Sequence, residues 1–321
     1  MGNVHMPYDL AQMQSLPLEA KIRMSQNRIR SWFEYWEIEG GGSYVSFSGG
    51  KDSTVLKHLV ENTPGVYDVP SVFVDTGLEY PEVRRFAVSQ PNVTVVRPEM
   101  RFDEVVKTYG YPVLGKEIAQ AIDGCRRGLP GQTKKLNGVD KNGDPSPFRA
   151  RFVRYKEYLD APFPISSKCC DIMKKKPAKS YEKATGRKPF VGSMACESAN
   201  RRSWWLKNGC NVFATKGGRP MSKPMSFWTE QDVLEYIVRF GLPYASVYGE
   251  IKKDKDGKWY TTGVDRTGCM FCMFGISQDG CPNRFQRMKE THPKQYDYCM
   301  RPIEDKGLGL DAVLTYLKVD H

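Results

Sequence analysis

A run of six residues near the start of the chain has the composition of a phosphate-binding loop. It reads Ser-Gly-Gly-Lys-Asp-Ser and spans residues 48–53. Its glycines let the backbone approach an anion, the free N–H groups of a following helix point toward that anion, and Lys51 supplies a positive charge. Ser48 and Ser53 add hydroxyl donors, while Asp52 either caps the helix or helps to hold Mg²⁺. The run therefore predicts a site for the phosphates of a nucleotide.

Four of the nine cysteines form two close pairs, Cys169-Cys170 and Cys269-x-x-Cys272. A Cys-x-x-Cys sequence alone is typical of a redox pair, half a zinc site or half a cluster site. The adjacent pair favours a compact four-metal cluster, because neighbouring residues can both bind one, and nearby lysines favour deprotonated thiols. We predict a metal site on these four cysteines, iron–sulfur or zinc, with Cys281 as a substitute for one of them.

The elements that must position these residues follow an alternating pattern. A β-prone run at 44–47 precedes the phosphate-binding run, and a helix-prone run at 54–60 follows it. Apolar runs at 71–75, 93–96 and 190–192 alternate with further helix-prone segments. Such alternation is typical of βαβ units. We therefore predict an α/β fold with a parallel sheet flanked by helices.

Ligands of parallel sheets bind at the carboxyl ends of the strands, which is where Ser48 and Asp75 fall. The pair Arg201-Arg202 comes after the strand at 190–192, and guanidinium groups suit phosphate or sulfate. A plain strand-ending turn at Asp75 and plain surface arginines are the open alternatives. The predicted phosphate- and nucleotide-binding residues are Ser46, Ser48, Gly49, Gly50, Lys51, Asp52, Ser53, Asp75, Thr76, Gly77, Arg201 and Arg202.

Composition excludes several classes of protein. The 321 residues fit one large domain or two smaller ones, and 40% of them are hydrophobic. No apolar run approaches the ~20 residues of a membrane span, and the first residues lack the pattern of a secretory signal. We expect a cytoplasmic protein without a membrane partner, in which reduced cysteines serve metal or redox chemistry.

Positive charge is concentrated in one segment. The chain carries a net charge of +11, and nine basic residues lie within 126–156, among many Gly, Pro, Asn and Asp residues. This composition predicts a loop or mobile insertion. Such a segment either binds the phosphates of a polyanionic acceptor or is a solvated insertion without a partner.

The phosphate-binding run resembles a known motif. It is not a Walker loop, because Val45 stands where that motif has its first glycine. It resembles the PP-loop of ATP pyrophosphatases, which split ATP into AMP and pyrophosphate. All six residues of that signature are present at 48–53.

The two cysteine pairs, about a hundred residues apart, resemble the iron–sulfur signature of the adenylylsulfate reductases. Those enzymes belong to the phosphoadenylylsulfate (PAPS) reductase family. The similarity covers roughly residues 40–275 and includes Val74-Asp75-Thr76-Gly77 with Pro81-Glu82, Glu197-Ser198 with Arg201, and the run from Trp228 to Ile237. The resemblance implies an adenine-nucleotide α-hydrolase-like fold.

We predict three parts of the chain, of which the resemblance covers the second. Residues 1–40 are predicted to form an N-terminal helical segment, and 41–275 the PP-loop/PAPS reductase-like domain, with a basic insertion at 126–156. Residues 276–321 form a C-terminal helical extension.

Two departures separate the chain from the reductases. Those enzymes generally have a degraded phosphate loop, whereas this loop is intact. They also carry a nucleophilic cysteine in a C-terminal Glu-Cys-Gly-x-His-type motif, which neither Cys281 nor Cys299 matches. In both respects the chain is more similar to ATP-dependent thiolation enzymes, such as the tRNA-thiolating PP-loop proteins and the ATPases of DNA phosphorothioation.

That resemblance implies that an acceptor oxygen attacks the α-phosphate of ATP, that pyrophosphate leaves, and that sulfur then displaces AMP. The implied catalytic residues are Lys51, Asp52 and Ser53, and the implied cofactors are ATP, Mg²⁺ and a [4Fe–4S] cluster. The implied partners are a sulfur donor and an acceptor, for which tRNA, DNA and a small molecule all stay open. A sulfonucleotide (PAPS or APS) reductase and a nucleic-acid-interacting subunit without turnover are the alternatives.

Overall fold

The computed structural model describes residues 4–213 and 218–321. Its α-helices are α1 Pro7–Gln14, α2 Leu18–Ile38, α3 Lys51–Glu61, α4 Pro81–Ser89, α5 Phe102–Tyr109, α6 Lys116–Arg126, α7 Pro130–Leu136, α8 Arg149–Val153, α9 Lys176–Thr185, α10 Ala199–Asn208, α11 Glu230–Phe240, α12 Arg284–Thr291, α13 Pro293–Met300 and α14 Leu310–Tyr316. Its strands are β1 Ser43–Phe47, β2 Ser71–Val74, β3 Val93–Val96, β4 Val113–Leu114, β5 Lys188–Val191, β6 Asn211–Val212, β7 Met221–Ser222, β8 Ile251–Lys253, β9 Trp259–Thr261 and β10 Met273–Phe274. Among the described helices, none is long and apolar enough to cross a membrane.

Internal contacts divide the chain into two compact units. Unit 1 comprises residues 1–75, 79–97 and 178–267, and unit 2 comprises residues 76–78, 98–177 and 268–321. The domain boundaries predicted at residues 41 and 276 stay a prediction.

Unit 1 is built on a mostly parallel sheet. Its strand order is β3-β2-β1-β5-β7-β6, and only the β6–β7 pair is antiparallel. Strand β1 lies in the middle and is buried, because it pairs with β2 on one side and with β5 on the other. The helices that follow β1 and β2 complete parallel βαβ units. The predicted α/β fold with a parallel sheet flanked by helices is confirmed.

The core of unit 1 explains why the long N-terminal helix forms. On α2, the buried residues Ile29, Trp32 and Phe33 recur at helical spacing and join the same apolar cluster as Phe190 of β5. Helices α1 and α2 agree with the helical character predicted for residues 1–40. Burying side chains of this size stabilises the fold by roughly 1.5–3 kcal/mol each.

Unit 2 contains the helices α5 to α8 and α12 to α14. Strands β4 and β10 form a short parallel pair within it. The hydroxyl of Tyr111 donates to the carbonyl of Leu308 at 2.9 Å and so anchors the C-terminal segment inside this unit. Helices α12, α13 and α14 agree with the helical character predicted for the tail.

The segment 126–156 differs from the predicted loop. It contains α7 and α8, which pack through the buried side chains of Leu136 and Phe152. Each helix is shorter than two and a half turns, so neither has enough residues to show a helical period in the sequence. Two buried apolar residues in an otherwise polar stretch are what stabilise the segment.

Candidate functional site

The loop between β1 and α3 is held by its own serines. The Ser48 amide donates to Oγ of Ser53 at 3.1 Å, and the Ser53 hydroxyl donates to the carbonyl of Gly50 at 2.9 Å. The two serine hydroxyl oxygens lie 3.0 Å apart. Gly50 is the N-cap of α3, so the helix begins directly after the loop. The N–H groups of a first helical turn can bind an anion, and this role of the loop stays a prediction.

Gly49 occupies a place that only glycine can fill without movement. Its φ is +72°, in the left-handed region. A Cβ atom there would lie 2.8 Å from the carbonyl oxygen of Val83 and 2.9 Å from Cβ of Ala87, both on α4. The tight turn therefore depends on glycine both for its backbone conformation and for its packing against α4.

Lys51 lies at the centre of this loop with a side chain that is only 4% exposed. Its ammonium group donates to the carbonyl of Asp265 at 3.0 Å. It also lies 3.1 Å from Oε1 of Glu230 and 3.5 Å from Oδ1 of Asp52. Burial acts to lower the pKa of Lys51, but the two carboxylates outweigh it and raise that pKa. Lys51 is therefore a fixed positive charge at neutral pH.

Asp52 is the member of the loop whose role was left open between capping and Mg²⁺ binding. Burial raises the pKa of its carboxyl group, against the opposing effect of Lys51. Its Oδ1 is buried and accepts no hydrogen bond within the described residues. The Lys51 ammonium is the cation nearest to this oxygen, at 3.5 Å; carboxylate oxygens also bind hard cations such as Mg²⁺, and Mg²⁺ binding by Asp52 stays a prediction. No side-chain capping bond is formed at the start of α3, so the structure offers no support for a capping role.

The sequence analysis missed three residues that complete the loop, and all of them belong to unit 1. Tyr248 is buried, and its Oη accepts from the Lys51 amide at 3.2 Å and lies 2.8 Å from Oγ1 of Thr267. Glu230 reaches the Lys51 ammonium as described above. These residues lie about 180–215 positions beyond the loop, so no local sequence pattern could predict their contact with it. The only signal was Thr229, which is typical of a helix N-cap and directly precedes Glu230.

The predicted anion-binding arginines lie at the start of α10. Oγ of the N-cap Ser198 accepts from the Arg201 amide at 3.3 Å, and the Arg201 guanidinium pairs with Glu197. Arg202 is exposed and forms no ion pair among the described residues. Burial lowers the pKa of Arg201, with a further contribution from the charge of Arg266.

Lys223 adds a cation to this region that the sequence analysis did not select. Its ammonium lies 3.1 Å from the ring centroid of Trp204, on α10. Burial lowers the pKa of Lys223 to about 8, and the neighbouring charge of Arg201 contributes. Arg201, Arg266 and Lys223 together make this part of unit 1 electropositive.

Asp75 is engaged by arginines in the structure. Its side chain is 5% exposed and accepts from Nε and Nη2 of Arg84 at 3.0 and 2.9 Å, and from Nε of Arg97 at 3.4 Å. Burial acts to raise the pKa of Asp75, but the arginines outweigh it and hold that pKa below its usual value. These bonds stabilise the end of β2, so they account for Asp75 without a nucleotide.

The remaining predicted nucleotide-binding residues belong to other elements of the chain. Ser46 lies within β1, where it pairs with Val72 and Val191. Thr76 and Gly77 belong to unit 2, where Oγ1 of Thr76 accepts from the Leu78 amide at 3.2 Å. The structure thus brings residues 48–53 together, whereas a nucleotide-binding role for Ser46, Thr76 and Gly77 stays a prediction.

The four predicted metal-binding cysteines all belong to unit 2. The Cys169 thiol donates to the Cys170 sulfur, and the two Sγ atoms are 3.9 Å apart. This bond raises the pKa of Cys169 and lowers that of Cys170 to about 6. The charges of Cys170, Cys272 and Cys269 raise the pKa of Cys169 further.

The chemistry of these four thiols suits a metal site better than the arrangement of their side chains does. Within the described part of the chain, no three Cys, His, Asp or Glu side chains are arranged to hold a metal ion. Four thiols with positive charge from Lys116 and Lys174 nevertheless form a donor set of the kind that binds zinc or an iron–sulfur cluster. Cys281 is exposed, and its role as a substitute ligand stays a prediction.

The fold and the β1–α3 loop define an α/β protein of the PP-loop class. A family model for the phosphoadenosine phosphosulfate reductase domain matches residues 43–114 and 117–273. The chain therefore belongs to the PAPS reductase family, as the sequence analysis predicted.

Comparison with individual proteins adds little detail. A search of the curated proteins found no significant match. One similar solved structure is the crystal structure of phosphoadenylyl-sulfate (PAPS) reductase from Candida auris in a phosphate complex. It is 16% identical in sequence, the match covers 73% of this chain and 89% of that chain, and the TM-score is 0.38. We draw nothing about function from a likeness at this level.

Proposed function

We propose that this protein is an ATP-dependent enzyme of sulfur metabolism that cleaves ATP between the α- and β-phosphates and uses the adenylated acceptor for sulfur transfer. The observation that carries the proposal is the intact loop at the start of α3, with Lys51 fixed between Asp52 and Glu230. A substrate without β- and γ-phosphates has little need for this full set of donors.

In the proposed reaction an oxygen of the acceptor attacks the α-phosphorus, and the bond to the bridging oxygen of pyrophosphate breaks. The α3 amides and the Lys51 ammonium stabilise the charge that develops on pyrophosphate, because they are oriented before the reaction begins. The Ser48 hydroxyl donates to the same oxygens, and the Ser53 hydroxyl joins it if it turns away from the Gly50 carbonyl when the nucleotide binds. Mg²⁺, when bound, would neutralise further phosphate charge, and Asp52 is the residue placed to hold it. Sulfur from a donor then displaces AMP.

Sulfonucleotide reduction is the second candidate, and family membership supports it more directly than thiolation. In that reaction a thiolate attacks the sulfur of the nucleotide. Cys299 is poorly suited to this task, since it is fully buried, donates to the carbonyl of Tyr296, and has a pKa that burial raises to about 12. Cys281 is exposed and is therefore the thiol to test for this reaction.

Nucleotide binding and product analysis separate the candidates. We expect calorimetry to give an ATP affinity at least about tenfold above that for AMP, because the β- and γ-phosphates contact the loop. Incubation with ATP, Mg²⁺ and bulk tRNA, DNA or small-molecule acceptors should release pyrophosphate. Tighter binding of adenylylsulfate or PAPS, with sulfite formed in the presence of a dithiol, would establish the reductase instead. Nucleotide binding without any product would favour a subunit without turnover.

The metal site is tested separately from activity. We propose that Cys169, Cys170, Cys269 and Cys272 hold a [4Fe–4S] cluster, which, with four protein ligands, would serve a structural or electrostatic role. Anaerobically purified protein should contain about four irons, and each single Cys→Ala variant should lose most of this iron. Cys125→Ala, in the same unit, is the matched control and should keep it. A measured content of one zinc and no iron per chain would show that the cysteines form a structural zinc site instead of a cluster.

A further inference from the structure

The segment 126–156, here called the α7–α8 platform, carries a large share of the charge of the protein. Its nine basic and two acidic side chains give a net charge of +7, against +11 for the whole chain, in about a tenth of its length. One of the two acids, Asp140, is already engaged, because its Oδ1 accepts from three amides, those of Asn142, Gly143 and Asp144. In the described part of the chain, neither of the two acids forms an ion pair with a cation of the platform.

The cations divide into those with a structural partner and those without. Arg126 donates to four carbonyl groups, including those of Tyr158 and Phe163, and therefore has a structural role. Arg127 and Arg151 pair with carboxylates. Lys134 donates to the carbonyl of Lys141 at 2.8 Å. In the described part of the chain, no carboxylate pairs with the remaining exposed cations, Lys141, Arg149, Arg154 and Lys156.

These charges lie on a folded surface. Phe152 is buried, and the Lys135 ammonium and the Arg151 guanidinium lie 4.8 and 5.7 Å from its ring centroid, so cations of α7 and α8 converge on one side chain. The stem of Arg149 packs against Gly138, where a Cβ atom would lie 2.4 Å from its Cγ. A surface ordered in advance loses less entropy when it binds a ligand.

An exposed aromatic residue adjoins one of these cations in the sequence. Phe148 is 63% exposed and immediately precedes Arg149 at the start of α8. An exposed aromatic ring next to guanidinium groups is the arrangement on which unpaired bases stack while the phosphates follow the positive charge. A duplex, whose bases are already stacked, would gain nothing from this ring.

We propose that the α7–α8 platform binds single-stranded nucleic acid, with phosphates on Lys141, Arg149, Arg154 and Lys156 and a base on Phe148. This inference goes beyond the proposed reaction by naming the class of macromolecule that the protein contacts. It does not depend on ATP turnover, since the platform lies in unit 2 and the phosphate loop in unit 1.

The test is fluorescence anisotropy with labelled 20-nucleotide single strands of RNA and DNA and with a duplex, without ATP. The fourfold variant K141Q/R149Q/R154Q/K156Q should bind single strands about 10- to 100-fold more weakly. The slope of log affinity against log salt should flatten by about 2–3, as expected for four lost phosphate contacts. The matched control K252Q/K253Q/K255Q/K258Q removes four exposed lysine charges from the β8–β9 hairpin and should change affinity less than about twofold.

Phe148→Ala distinguishes nucleic acid from a general polyanion. It should weaken single-strand binding about 5- to 100-fold while leaving heparin binding unchanged. Because Phe148 is exposed, this variant should fold normally, which circular dichroism checks. Equal loss of affinity in both fourfold variants, equal binding of duplex and single strand, or a silent Phe148→Ala would each overturn the proposal. ATP affinity, measured by calorimetry on the same variants, should be unchanged, so a failure here is distinct from a failure of the proposed reaction.

Discussion

Replacing Lys51 with methionine is expected to lower the rate of pyrophosphate release by about 10²–10³-fold and to weaken ATP binding strongly. Methionine keeps most of the side-chain volume but removes the charge that faces the phosphates. It also leaves Asp52 and Glu230 without their shared cation, so two carboxylates would repel the incoming nucleotide. Calorimetry with ATP and a pyrophosphate assay measure the two effects.

Lys57→Met is the matched control for this experiment. Lys57 lies on the same helix, its side chain is 6% exposed, and it pairs with Glu61 instead of with loop residues. Its replacement removes one buried charge from α3 without changing the loop, so ATP affinity should stay within a few-fold of the wild type. If Lys51→Met bound ATP as tightly as the wild type, the loop would not be the phosphate site.

The second large effect is expected from Gly49→Ala. The left-handed backbone at this position costs a residue with a Cβ about 1–2 kcal/mol, and overpacking against Val83 and Ala87 adds about 1–3 kcal/mol. We expect the free energy of unfolding to fall by about 2–5 kcal/mol, measured by urea denaturation. The loop should also move away from α4, so ATP binding should weaken even in the molecules that stay folded.

Gly65→Ala is the control that measures the cost of a left-handed backbone conformation without the cost of close packing. Gly65 has a similar φ of +82°, but no atom lies within 4 Å of the position of its Cβ. Its replacement should therefore lower the free energy of unfolding by only about 1–2 kcal/mol, the cost of the backbone conformation, and should leave ATP binding unchanged. Equal destabilisation by the two substitutions would show that contact with α4 does not constrain the loop.

The chain belongs to the PAPS reductase family, and its features support the two proposed functions to different degrees. The matched family and the cysteine pairs favour a reductase. The intact loop and the buried Cys299 favour ATP as the substrate. Binding of ATP against AMP is the informative comparison, because only ATP offers β- and γ-phosphates to Lys51.

The local sequence was sufficient to predict the elements that depend on interactions between neighbouring residues. Six consecutive residues, 48–53, form both the turn and the helix start, so their types alone predicted the loop. The period of apolar residues in α2 and the apolar runs of β1, β2 and β3 likewise predicted the α/β fold, because each pattern is repeated within one element. The family assignment rested on the same short motifs.

Tertiary structure decided what depends on residues far apart in the chain. Tyr248 and Glu230 reach the loop only because the sheet brings segments about 180–200 residues distant to its edge, and no periodicity encodes such a meeting. Asp75 was predicted to border a nucleotide, yet the packing of α4 and β3 supplies Arg84 and Arg97 to its carboxylate. Likewise, two buried side chains, Leu136 and Phe152, turn an apparent loop at 126–156 into a folded basic surface. The sequence by itself thus determined the chemistry available to this protein, whereas long-range packing decided which groups stand next to one another.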